Sequence, residues 1–317
     1  MTKNDYRSFI CGIKGTKLST KEIFFLNKYK PWGVILFSRN IKSIKQTQKL
    51  TSSIKKIFKN KNYPILIDEE GGRVSRLQNF IDSSLFTAKY FGDLYTKDKK
   101  KFYIYLNVYI KQISYLLNLL GININTVPIL DVRRKNSHKI IGDRSYSLNN
   151  KIVSQIGNIV IKKFHYNKIA TVIKHIPGHG LAKVDSHKKL PIINNSLTYL
   201  KKNDFITFKN KKSLFSMTGH LFFKKIDSLK PVTHSKKLIK IIRKNIGFKN
   251  LIITDDLSMK ALKHSMKHNT VHSFLAGCNL ALHCNGNLKE MVEVGSNSPK
   301  IDNFIVKKTS QFIKIIS

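Results

Sequence analysis

Apolar residues gather into eight short runs: FICGIKG (9–15), GVILFS (33–38), PILIDEE (64–70), ININTVPILD (122–131), ATVIKHI (170–176), LFSMTGH (214–220), LIITDD (251–256) and NLALHCN (279–285). Most are continuous rather than alternating, which is how strands buried on both faces read. Helical patterns fall between them. STKEIFFLNKY (19–29) opens on a Ser/Thr cap and is followed by Pro31. The stretches 100–121 and 235–247 end on Gly121 and Gly247, the residue type that closes helices in the left-handed conformation. Strand–helix units in this number, with no linker or break in composition, predict an α/β fold, a single (β/α)8 TIM barrel spanning residues 1–317. A doubly wound open sheet is the alternative, but no GxGxxG follows any strand. No internal repeat is visible.

Composition agrees with a large globular core: 317 residues, 41% of them hydrophobic. No apolar run is long enough for a transmembrane helix, so no membrane insertion is expected. The opening MTKNDYRSFICGIKG lacks the features of a secretion signal. Cys11, Cys278 and Cys284 have no CxxC spacing and argue against a disulfide framework. The expected compartment is the cytoplasm, and a monomer is the expected state. The formal net charge of +40 has two readings. One is a nucleic-acid or anionic-membrane partner. The other is biased residue usage, since Lys, Asn and Ile are abundant together. The lysines run along the whole chain, as in 43–61, with no RNP-like motif or zinc finger, so usage bias is favoured and no specific nucleic-acid partner is expected.

In a barrel of this kind, sites form where strands end and loops begin. Five polar clusters occupy such positions: DEEGGRVSR (68–76), LDVRR (130–134), KHIPGHG (174–180), TGH (218–220) and TDDLSM (254–259). A metal site is one candidate, because His175 and His179 are spaced i, i+4. That spacing needs a helix to bring both rings to one face, and Pro177 and Gly178 break any helix. No metal and no cofactor are therefore expected. Acid/base chemistry is the other candidate. Asp185 and His187 are two apart, so in an extended segment both side chains face the same way, and the carboxylate orients the imidazole. The competing reading is a cap or a solvated loop. Of Asp255 and Asp256, which are adjacent on a strand, one faces the barrel mouth as nucleophile or electrostatic stabiliser. Asp256 is also a candidate N-cap for a helix starting at Leu257.

FSRN (37–40), DEEGGRVSRL (68–77), IGDRSY (141–146), KHIPGHGLAKVDSH (174–187) and IIRKNIGFKNLIITDDLSM (241–259) together resemble glycoside hydrolase family 3. They look most like its single-domain bacterial β-N-acetylglucosaminidases of cell-wall recycling. The resemblance runs in order from about residue 8 to 286. It implies a (β/α)8 barrel that releases terminal β-linked N-acetylglucosamine from muropeptides by a retaining double displacement. It implies Asp255 as nucleophile, His187 as acid/base and Asp185 as its partner. Asp68, Arg76, Arg144, Lys174 and His175 match the positions that hold the sugar, and His220 matches a histidine of less defined role. Asn245, Asn250 and Asn279 depart from the family pattern, but no catalytic group is missing. A phosphorylase of the same family, or a basic nucleic-acid-binding protein, is the alternative.

Overall fold

The computed structural model describes residues 6–134, 141–182, 184 and 190–317. Eight parallel strands close into a barrel: β1 (Arg7–Gly12), β2 (Pro31–Leu36), β3 (Ile65–Ile67), β4 (Ile124–Asn125), β5 (Ala170–Ile176), β6 (Phe215–Thr218), β7 (Leu251–Asp256) and β8 (Leu280–His283). Each pairs with its neighbours in chain order, and β8 pairs with β1. The (β/α)8 barrel expected from the apolar runs is the observed fold. Helices cover it, among them α1 (Thr20–Tyr29), α2 (Ile44–Ile57), α3 (Ala88–Lys97), α4 (Lys99–Leu119) and α5 (Asn150–Tyr166). None of the described helices is long and apolar enough to cross a membrane.

Helix starts follow capping chemistry. The Ser19 hydroxyl accepts from Glu22 N–H while the Glu22 carboxylate accepts from Ser19 N–H, a reciprocal pair that satisfies two otherwise orphaned donors. The other Glu22 oxygen accepts from Lys14 N–H at 3.0 Å, which ties the loop after β1 to the helix. The stretch ending at Gly247 is helical over Lys236–Ile241 and then widens into a single π turn, Ile242–Ile246, before Gly247 stops it at φ 81°.

Strand β4 is the main departure from the expected boundaries. Pro128 lacks an N–H to donate, so the ladder breaks early, and the chain rejoins it at an isolated bridge between Ile129 and Lys174. Asparagine side chains replace the missing backbone bonds. Asn125 accepts from Glu69 N–H at 3.0 Å and donates to Glu69 O at 2.8 Å, and Asn123 accepts from Ile65 N–H at 2.9 Å.

The C-terminal helix α6 (Asn303–Ile316) packs across the end of the barrel where the strands begin. Its Phe312 is fully buried against Trp32 and Phe215, with ring centroids 6.3 and 5.9 Å away. Trp32 Nε1 donates to Thr309 Oγ1 at 2.8 Å, so the indole is satisfied as well as packed. The last residues of the sequence form this plug.

Candidate active site

Two β-bulges shape the opposite rim of the barrel. Between β5 and β6, Lys174 pairs with Met217 and Ile176 with Thr218, which leaves His175 as the extra residue. Between β7 and β8, Ile253 pairs with Leu280 and Asp256 with Leu282, which places Asp255 in the second irregularity. A bulge bends the strand and re-aims its side chain. Both residues border a pocket of about 230 Å³ that also receives Asp68, Arg76, Arg144 and Lys174. That volume is below the roughly 300–1,000 Å³ of drug-sized sites, and it suits one sugar ring.

A chain of alternating charges forms one side of the pocket. The Lys174 ammonium donates to Asp68 Oδ1 at 2.9 Å and to Thr126 Oγ1 at 2.8 Å, and lies 2.7 Å from Glu70 Oε1. Arg144 grips the Glu70 carboxylate with two bonds, of 2.7 and 2.9 Å. Thr126 Oγ1 donates to Asp68 Oδ1 as well. Burial by itself would raise the pKa of both carboxyls, but the neighbouring cations outweigh it. Lys174 and Arg76 hold Asp68 well below the usual carboxylate range, and Arg144 and Lys174 hold Glu70 at about 2. Arg76 Nε is buried and has no hydrogen-bond partner among the described residues. Its guanidinium lies 5.5 Å from the Phe37 ring, which also lines the pocket.

Asp131 organises the neighbouring segment. It is fully buried and accepts from His175 Nδ1 at 2.7 Å and from His179 N–H at 2.7 Å. Burial would raise its pKa, and the two imidazoles pull it below the ordinary value. These bonds bring the His175 and His179 rings into edge contact at 5.5 Å. The expectation that this spacing needs a helix to unite the rings is therefore corrected. A strand end, a turn and one shared carboxylate do it instead. Burial, with His175 alongside, depresses His179 to about 4 and keeps its imidazole neutral at pH 7.

The TDD segment divides its carboxylates by bonding. Asp256 is saturated: it accepts from Ser258 N–H at 3.0 Å, Ser258 Oγ at 2.7 Å and Cys284 N–H at 3.1 Å. It caps a turn and not a helix, since the next helix, α7 (Met266–Ala276), starts from Ser265; the helix expected at Leu257 is absent. Asp255 Oδ1 accepts from Asp256 N–H at 2.8 Å. Both residues border the pocket. His220 is fully buried behind it, bonded to Thr233 Oγ1 at 2.8 Å and to the Asp256 carbonyl at 2.9 Å. It fixes the end of β7 and does not line the pocket.

Asp185 and His187 lie outside the described residues. Two groups in the network escaped assignment from sequence, Glu70 and Asp131. Each is the last residue of one of the eight runs, and that position was the available signal. Glu69, beside Glu70, serves the loop: its Oε2 accepts from Arg76 N–H, Leu77 N–H and Ser75 Oγ at 2.6–3.1 Å. Asn279, one of the departures from the family pattern, accepts from Arg243 at 2.6 Å and from Ile252 N–H at 2.9 Å, as an aspartate there would.

Comparison with known proteins places this arrangement. The model of the glycosyl hydrolase family 3 N-terminal domain matches residues 12–309, and the chain belongs to that family. Its relatives include the beta-hexosaminidase of Nitrosomonas eutropha, 30% identical over 285 residues that cover 86% of this chain and 79% of that protein. The beta-hexosaminidase of Neisseria meningitidis is 32% identical over 264 residues, covering 80% and 71%. Among solved structures, NagZ from Neisseria gonorrhoeae in complex with N-trifluoroacetyl-D-glucosamine superposes with a TM-score of 0.87 at 28% identity, covering 99% of this chain and 90% of that one.

Proposed function

We propose that this chain is an exo-acting β-N-acetylhexosaminidase that releases terminal non-reducing N-acetylglucosamine from cytoplasmic muropeptides with retention of configuration. The observation that carries this reading is the pocket itself. It is lined both by Asp255 and by a charge-balanced set of donors and acceptors built on Asp68, Glu70, Arg144 and Lys174. The similarity to beta-hexosaminidases over most of the chain supports the same substrate class. Three free cysteines fit a reducing compartment.

The residues suit the reaction as follows. Glycosidic cleavage needs an acid at the leaving oxygen and a carboxylate at the anomeric carbon, through an oxocarbenium-like transition state. Asp255 is the nucleophile. The Asp256 N–H fixes one of its oxygens, and His220 secures the backbone behind it. Asp68, Arg76, Arg144, Lys174 and His175 bind the sugar hydroxyls and acetamido group. Asp68 and Glu70 are ionised and engaged by cations, so neither is a proton donor at neutral pH. That role falls to His187, with Asp185 orienting its ring. The barrel works as one catalytic unit along the whole chain.

The test is turnover of an aryl β-N-acetylglucosaminide beside the matching aryl β-glucoside. The former should be cleaved far faster, and equal or better turnover of the glucoside would overturn the substrate class. Product analysis with and without inorganic phosphate separates hydrolysis from phosphorolysis. Free N-acetylglucosamine in both cases is expected, whereas a sugar phosphate would identify a phosphorylase.

A further inference from the structure

α4 buries Phe102, Leu106, Ile113 and Leu117 in the core, yet its outward face is apolar too. Ile104, Val108, Lys111 and Tyr115 follow the spacing i, i+4, i+7, i+11 and form one solvent-facing stripe. Ile104 is 50% exposed, Val108 49% and Tyr115 66%, and Tyr103 and Tyr105 are exposed on the same helix. No other described helix leaves so many large apolar side chains in water. A surface helix ordinarily turns a polar face outward, so this stripe marks a face that something covers.

The surroundings of the stripe carry one sign of charge. α4 lies between α2 and α5. Gln48 and Thr51 of α2 donate to the Leu119 and Leu120 carbonyls at 2.9 and 2.8 Å, and Lys163 of α5 donates to Asn107 Oδ1 at 2.7 Å. These three helices hold eleven lysines and no aspartate or glutamate, so nothing on them offsets the positive charge. The nearest carboxylates along the chain, Asp93 and Asp98, are already paired with Lys89 and Lys101. Lys45, Lys49, Lys100 and Lys111 are exposed. Abundant lysine alone gives a basic surface; the apolar stripe within it is what singles out this wall.

We propose that this wall, with α4 at its centre, is a docking surface for an anionic lipid bilayer, on which the barrel lies without crossing it. No described helix is long and apolar enough to span, so the contact is with the headgroups and the upper acyl region. Lysine suits that boundary, because its stem lies along apolar surface while its ammonium reaches lipid phosphate. Tyrosine rings favour the headgroup level, and Ile104 and Val108 supply the aliphatic contact beneath it. A second copy docked through the same stripe would set lysines against lysines with no carboxylate on the three helices between them. Lysine is also depleted at protein–protein interfaces. A nucleic acid would call for a groove that follows its backbone and rings on which bases stack, whereas the middle of this stripe is aliphatic. No α4 residue lines the sugar pocket, which opens at the strand ends, so a bilayer against this side wall leaves the mouth free.

The experiment is flotation of the full chain with vesicles of mixed phosphatidylglycerol and phosphatidylcholine, beside vesicles of phosphatidylcholine alone. Binding to the anionic vesicles at low salt, and much weaker binding to the neutral ones, is expected. Lys100→Gln with Lys111→Gln should weaken it about 25-fold, roughly five-fold for each lysine. Ile104→Gln, Val108→Gln and Tyr115→Gln together should weaken it on the order of 10–100-fold, and what remains should be purely electrostatic and vanish as salt rises. Lys236→Gln with Lys240→Gln, exposed on the helix after β6, should leave binding in place. All these positions are exposed, and an unchanged urea midpoint shows that the variants fold. No binding to the anionic vesicles, or equal binding to the neutral ones, would overturn the proposal. Equal loss from the Lys236 and Lys240 pair would overturn it too, since bulk charge would then suffice. So would capture by a single-stranded oligonucleotide in preference to the vesicles, if the α4 variants abolish it, which would make the wall a nucleic-acid surface.

Discussion

Nδ1 of His175 lies 2.7 Å from Oδ2 of Asp131, a carboxylate with no exposed surface that also accepts the His179 N–H. The carboxylate takes the proton-bearing nitrogen, so Nε2 of His175 is left as the acceptor toward the pocket. Asp131→Asn replaces one acceptor oxygen by a donor that opposes these N–H groups. We expect kcat/KM for an aryl N-acetylglucosaminide to fall on the order of 10–100-fold, as when partners behind metal-bound histidines are lost. Unchanged activity would mean that Asp131 only braces the loop.

Stability should depend on pH in a defined direction. Glu70 is held at about 2 against its ordinary 4.5, because Arg144 and Lys174 outweigh the effect of burial. The unfolded chain therefore binds more protons than the folded one between those values. The contribution is fully present above pH 4.5 and is lost as the pH falls toward 2, and it amounts to about 3 kcal/mol. Asp68 and Asp131, also depressed, act in the same direction. Urea midpoints at pH 7, 5 and 3 should be close for the first two and clearly lower for the third. Glu70→Gln should flatten that drop.

Asp255→Ala should reduce kcat on the order of 10⁴–10⁶-fold, the range seen when a nucleophile is removed, with the urea midpoint little changed. A mechanism-based fluoro-sugar should label the peptide that holds Asp255. Labelling elsewhere, or an α-configured first product by NMR, would reject the assignment.

His187→Ala should cost on the order of 10²–10⁴ in rate. Poor sugar leaving groups should suffer most and acidic phenols least. Azide, which needs no deprotonation, should rescue the second step and leave a pre-steady-state burst in its absence. Equal slowing of good and poor leaving groups without rescue would remove His187 from the acid/base role.

Phe312→Ala should lower stability by about 3–5 kcal/mol, the usual cost of deleting a buried aromatic ring. The packing of that ring against Trp32 and Phe215 motivates this. Chemical denaturation of the variant is the check. A loss below 1 kcal/mol would mean that α6 is a loosely held appendage.

The eight apolar runs by themselves determined the barrel, because strands buried on both faces must be continuously apolar and a parallel sheet needs a helix after each. β5 and β7 begin and end where the runs do. The same logic put the charged clusters on one rim, so Asp68, Arg76, Lys174, His175 and Asp255 were legible as strand-end groups, while Arg144 entered only through the family resemblance. Pairings across the barrel were not. That Lys174 on β5 joins Asp68 and Glu70 after β3, and that Arg144 closes on Glu70, depends on which strand ends meet in space. No local period records that. The bulges at His175 and Asp255 are likewise set by register between neighbouring strands. The plug of Phe312 under Trp32 joins residues 280 positions apart, and only the closed barrel gives them a common surface to bury.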